Sequence, residues 1–97
     1  MSLRDQQIEF VLKVAELIQW AYAQGYTLSF GDAWAKSGHK EGSFHYKRLA
    51  IDLNLFLEGK YLDDTDFYRP LGAYWISIGG TWGGRWNDGN HFSWGEK

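Results

Sequence analysis

Along Leu49-Ala-Ile-Asp-Leu-Asn-Leu-Phe56, branched apolar side chains occupy every second position. That alternation fits a pleated strand, in which successive side chains point to opposite faces, and does not fit a helix. Leu49, Ile51, Leu53 and Leu55 share one face, the expected core side, while Ala50, Asp52, Asn54 and Phe56 share the other. Any fold of this chain has to bury the first set and still accommodate Asp52. An ionised carboxylate in an apolar run is costly unless something compensates it. The face carrying Asp52 and Asn54 is therefore expected to be a site.

The flanking segments supply what such a strand needs for company. Residues 2–25 read as an amphipathic helix, with Ile8, Val11, Leu12, Ala15, Ile18 and Tyr22 on one face, expected to cover a sheet. Ser2 and Asp5 resemble a capping box, and Gly25 is a C-terminal stop signal. Tyr26-Thr-Leu-Ser-Phe30 reads as a strand ending at Gly31-Asp32, and residues 35–42 as a loop. Glu58-Gly59-Lys60 reads as a turn. The acidic run Asp63-Asp64-Thr65-Asp66 is expected to cap a helix over residues 67–78, with Pro70 in its first turn and Gly79-Gly80 at its end. Residues 81–94 read as a glycine-rich loop entering a short strand at His91 to Trp94. These elements predict an α+β fold: a small antiparallel sheet with packed helices. The chain has 97 residues, 44% of them apolar, and no internal repeat, which suits one domain with one core.

Composition removes several function classes. The net charge of −2 gives no basic field, so nucleic acid is not an expected partner. With no cysteine, any metal site has to use His, Asp or Glu. The polar start MSLRDQQ has no signal-peptide pattern, and no stretch is apolar enough for membrane insertion. Synthesis in the cytoplasm and a monomeric state are expected.

Two of the three histidines, His45 and His91, open strand-like segments. Two imidazoles and one carboxylate make a three-ligand set for a catalytic zinc, which leaves a fourth position to water. Asp52 supplies that carboxylate if its strand lies beside the one carrying His91, and a bound cation would offset its burial. Asp88, three residues before His91, is placed to serve as the general base. On residue types alone, structural histidines and an aspartate capped by backbone amides remain open readings.

The string Ser43-Phe-His45-Tyr-Lys-Arg-Leu-Ala50-Ile-Asp52 resembles the S-x-H-x-x-x-x-A-x-D signature of the M15 metallopeptidases. This family includes D-alanyl-D-alanine carboxypeptidases, VanX- and VanY-like enzymes and phage L-alanyl-D-glutamate endolysins. Trp82-Gly-Gly-Arg-Trp-Asn-Asp88-Gly-Asn-His91-Phe resembles the WGG…D-x-x-H-F ending of the phage branch. The resemblance implies one zinc ion per chain held by His45, Asp52 and His91, with Asp88 as catalytic acid/base and Ser43 facing the substrate. It implies a Hedgehog/D-Ala-D-Ala peptidase-like fold and cleavage of peptidoglycan stem peptides at the bacterial cell wall. The bond cut would be of the L-Ala–D-Glu or the D-Ala–D-Ala type, in a phage or prophage lysis role. The chain departs from its relatives at Ala35, where they carry an arginine that stabilises the oxyanion. Lys36, next to it, is expected to contact substrate, Arg48 and Arg85 are the candidates to replace the arginine, and the segment between residues 35 and 43 is shortened. The departure raises an alternative: a catalytically impaired, zinc-binding module that recognises cell wall.

Overall fold

The structure, a computed structural model, describes residues 2–32 and 47–95. Strand β2 (Ala50–Leu57) is the centre of a five-stranded antiparallel sheet. Strand β1 (Tyr26–Phe30) runs along one edge of it, Tyr26 opposite Leu57 and Phe30 opposite Leu53. The other edge is shared. Strand β3 (Lys60–Leu62) pairs with the C-terminal half of β2, and β5 (His91–Ser93) pairs with the N-terminal half. Strand β4 (Thr81–Trp82) lies outside β5. Helices α1 (Leu3–Ala23) and α2 (Arg69–Ser77) contribute to the single core with one face of this sheet. The α+β class read from the sequence is the observed one.

The alternation along β2 sorts as expected. Leu49, Ile51, Leu53 and Leu55 are all buried in the core, and Asp52, Asn54 and Phe56 are half-buried on the opposite face. Glu58 and Gly59 both take positive φ, 51° and 80°, closing a two-residue hairpin into β3. Paired left-handed residues match the strand twist, and glycine adopts them without a Cβ clash. The sequence reading identified the turn but not the short strand after it.

Helix α1 forms where expected, with the Ser2 side chain accepting a hydrogen bond from the Asp5 amide. Its orientation is a correction. The buried residues are Phe10, Val14, Leu17 and Ala21, whereas Ile8, Val11 and Leu12 are exposed. Both stripes are apolar, so helical spacing alone does not choose between them. Helix α2 also starts later than the expected residue 67. Asp64 caps a 3-10 turn, Thr65–Tyr68, and the α-helix begins at Arg69 with Pro70 in its first positions. There the missing proline N–H costs nothing, since the first amides of a helix have no intrahelical acceptor.

Trp75 of α2 is fully buried and ties the layers together. Its indole N–H donates to the Ser93 carbonyl at 2.9 Å and reaches the Thr81 carbonyl at 3.2 Å. Its ring meets Phe10, Phe92 and Trp94 edge-on. Phe92 and Trp94 belong to this core. Nearby, the Tyr68 hydroxyl accepts from the Leu55 amide at 3.1 Å, and burial pushes its pKa above the usual tyrosine value. The Trp82 ring fits between Gly72 and Gly84: a Cβ on either would come within 2.2 Å of it.

Two outcomes are expected. Gly72→Ala normally favours a helix by about 1 kcal/mol, but here it forces a methyl into the Trp82 ring. A net destabilisation of about 1–3 kcal/mol is expected in urea titration. At alkaline pH the folded chain keeps the Tyr68 proton that the unfolded chain loses from about pH 10 upward. Tyr68 therefore contributes stability that is intact below about pH 10 and falls as the pH rises through its raised folded value. Stability measured from pH 9 to 11.5 is expected to decline less steeply in Tyr68→Phe.

Candidate active site

Strands β2 and β5 set Asp52 directly opposite His91 on the face of the sheet away from the helices. The register is held by backbone bonds on both sides of the pair: the Leu53 amide donates to the Asn90 carbonyl at 2.9 Å, and the Trp94 amide to the Leu49 carbonyl at 2.9 Å. Phe92, the next residue along, points into the core opposite Ile51. Alternation then sends His91 to the other side. Core packing thus orients the imidazole.

His91 Nδ1 stands 3.6 Å from Asp52 Oδ1, both side chains being about four-fifths buried. That is too long for a good hydrogen bond. It does fit two donors on a common ion: zinc–nitrogen and zinc–oxygen bonds near 2.1 Å at tetrahedral angles put donors roughly 3.4 Å apart. The chemistry of the set, one imidazole and one carboxylate, also suits zinc. The residues present therefore fit the metal. Among the described residues there is no group of three or more His, Cys, Asp or Glu side chains. The expected third donor, His45, lies outside the described residues, as do Ser43, Lys36 and Ala35.

Asp88 is exposed on the turn that leads into β5. Its amide donates to the Gly83 carbonyl at 3.0 Å, and its own carbonyl accepts from the His91 amide at 3.1 Å. The turn is pinned further by the Gly89 amide on Thr65 Oγ1 at 3.2 Å and by the Trp82 indole on the Gly89 carbonyl at 2.7 Å. Asp88 and Asn90 line a polar cavity of about 160 Å³ with Tyr61, Asp63 and Thr65. Neither Asp52 nor His91 is among the residues that line it. Asn90 had no assigned place beside the pair in the sequence reading. Its side-chain amide donates to Asn54 Oδ1, and the Asn54 amide to Ser29 Oγ, both at 3.4 Å. This polar row runs from β1 across β2 to the turn that enters β5. The alternation of β2 pointed to Asn54, while Ser29 and Asn90 join it only through strand pairing.

The backbone crowds both members of the pair. The Gly31 amide donates to the Asp52 carbonyl at 2.7 Å, and a Cβ on Gly31 would lie 3.0 Å from Asp52 Cβ. A Cβ on Gly83 would lie 2.5 Å from the Asp88 carbonyl oxygen and 2.8 Å from His91 Cβ.

Residues 36–94, well over half of the chain, match the peptidase M15 family described as D-alanyl-D-alanine carboxypeptidase. The chain belongs to this family. Asp52, Asp88 and His91 all fall inside the matched span, and the M15 chain is thereby a peptidase of cell-wall type. No curated protein sequence matches it.

The space at each glycine orders two substitutions in the M15 chain. Gly83→Ala meets a backbone oxygen and is expected to cost about 1–3 kcal/mol. Gly31→Ala, whose nearest contact is a side-chain carbon at 3.0 Å, is expected to cost less. Urea titration of both variants checks this; the reverse order would contradict it.

Proposed function

We propose that this chain is a zinc-dependent peptidase that cleaves peptidoglycan stem peptides, of the L-Ala–D-Glu endopeptidase or D-Ala–D-Ala carboxypeptidase type. The observation that carries the reading is the cross-strand pair Asp52–His91, with donors 3.6 Å apart inside the family-matched span. Asp52, His91 and His45 are the residues that would hold the ion. Bound there, zinc supplies Lewis acidity toward a peptide carbonyl and makes water a stronger acid near neutral pH. The Asp88 carboxylate takes the proton released by the attacking water and returns it to the leaving amine nitrogen. The Asn90–Asn54–Ser29 row offers amide and hydroxyl groups to an extended peptide along the sheet face. Ser43 and Lys36 are further substrate contacts. The WGG…D-x-x-H-F ending favours a phage or prophage lysis role, with the bacterial cell wall as the place of action.

Incubation with purified peptidoglycan, reading new free amino termini and released alanine, tests the reaction. The zinc-loaded chain is expected to release one or the other, and chelation to stop it. Asp88→Ala is expected to keep zinc at one per chain and to lose about 10²–10⁴-fold in rate. Asp52→Ala and His91→Ala are expected to lose the metal together with activity. An active Asp88→Ala protein would sink the acid/base assignment. Ala35, in place of the relatives' arginine, favours a second reading, a cell-wall recognition module. Zinc retention and peptidoglycan binding with neither new termini nor released alanine would establish that reading instead.

A further inference from the structure

The Asp88 side chain is exposed, and among the described residues no hydrogen bond or ion pair holds its carboxylate. A group that moves a proton has to stay within hydrogen-bond reach of the reacting atoms, so here the backbone beneath it sets its place. Two bonds that shape this backbone, from the Asp88 amide to the Gly83 carbonyl and from the His91 amide to the Asp88 carbonyl, are internal to the turn and can travel with it. The Gly89 amide is different. Gly89 is buried, and its amide donates to Thr65 Oγ1 at 3.2 Å, a partner 24 residues away in sequence. The two backbones are also in contact, since a Cβ on Gly89 would lie 2.8 Å from Thr65 Cα. Thr65 belongs to a firmly held piece of chain. It opens the 3-10 turn that Asp64 caps through the Asp66 amide at 3.1 Å, and Arg69 holds Asp66 at 2.9 Å. The turn ends at Tyr68, which is buried and whose hydroxyl accepts from the Leu55 amide of β2. Strand β2, which carries Asp52, is therefore tied to Asp88 by two routes. One runs through β5 and His91, the other through Tyr68, Thr65 and Gly89.

We propose that Thr65 is a positioning residue: by accepting the Gly89 amide, its hydroxyl fixes the turn that places the Asp88 carboxylate beside the Asp52–His91 pair. The inference rests on the reading of Asp88 as the acid/base. Without the hydroxyl, a buried amide loses its acceptor, and the turn can satisfy that amide with water only by moving. Asp88 moves with it, and a displacement of about 1 Å is enough to cost about 10²-fold in rate. Thr65 also lines the cavity that Asp88 and Asn90 line, so a direct contact with substrate is the competing role. The two roles separate in kinetics. Misplacing the acid/base lowers kcat, whereas losing a uniform substrate contact raises KM.

Two measurements on the zinc-loaded full chain test this: turnover of a soluble stem-peptide fragment, and hydrogen exchange at the Gly89 amide. Thr65→Val keeps the branched shape of the side chain and removes the acceptor. It is expected to keep zinc at one per chain and KM within about twofold, while kcat falls roughly 10–10²-fold. Exchange at the Gly89 amide is expected to become about tenfold faster. Thr65→Ser, which keeps the hydroxyl, is expected to bring kcat and exchange back toward wild type. In an Asp88→Ala background, Thr65→Val is expected to have no further effect on rate, because the group it places is gone. If Thr65→Val alters circular dichroism, Thr65→Ala takes its place with the same expectations. Given an active wild-type chain, an unchanged kcat, a change in KM alone, or an equal loss in the Asp88→Ala background would overturn the proposal. A wild-type chain without turnover would count against the peptidase reading instead. The Gly89 amide then decides: faster exchange in Thr65→Val, reversed in Thr65→Ser, upholds the grip of Thr65 on the turn, and unchanged exchange overturns it.

Discussion

The antiparallel register between β2 and β5 is the constraint on which core and site both depend. A shift of one residue would turn Phe92 out of the core and His91 into it. The register is secured from the core side, by Trp75 on the Ser93 carbonyl and by Phe92 opposite Ile51. The opposite face inherits whatever that packing dictates. Asp52 and His91 meet because Ile51 and Phe92 must.

A second consequence is the way small residues let the backbone close around the pair. Gly83 admits the turn that carries Asp88 against His91, and Gly31 brings the end of β1 beside Asp52. Gly72 and Gly84 do the equivalent for Trp82, whose indole in turn fixes the Gly89 carbonyl next to Asp88. The glycine-rich stretch 79–89 therefore reads as close packing around aromatic rings, and within it stand a two-residue strand and a 3-10 turn.

Much of this was legible in the sequence where a pattern is local. Strand β2 could be read because a period of two with one buried face is hard to mistake, and Asp52 stood out against it. The existence of α1 was legible, down to the Ser2 cap, but its orientation was not. Phe10, Val14, Leu17 and Ala21 compete with Ile8, Val11, Leu12 and Ala15, and only the tertiary partners decide between them. Strands β3 and β4 are too short to carry a periodic signal. The approach of Asp52 to His91 spans a long stretch of chain, and no local rule gives strand pairing at that separation; the motif resemblance supplied it. For Phe92 and Trp94 the sequence does not decide, because an aromatic residue beside a site looks the same whether it lines a cleft or fills the core behind it.

If the register enforced by the core makes Asp52 and His91 co-ligands of one ion, as proposed, the metal itself reports it. X-ray absorption at the zinc edge, on the chain reconstituted with one equivalent of zinc, addresses it most directly. A shell of nitrogen and oxygen donors at about 2.0–2.1 Å with imidazole scattering beyond it is expected, with loss of part of that imidazole signal in His91→Ala. A shell of oxygen alone, or an imidazole signal unchanged in His91→Ala, would contradict it.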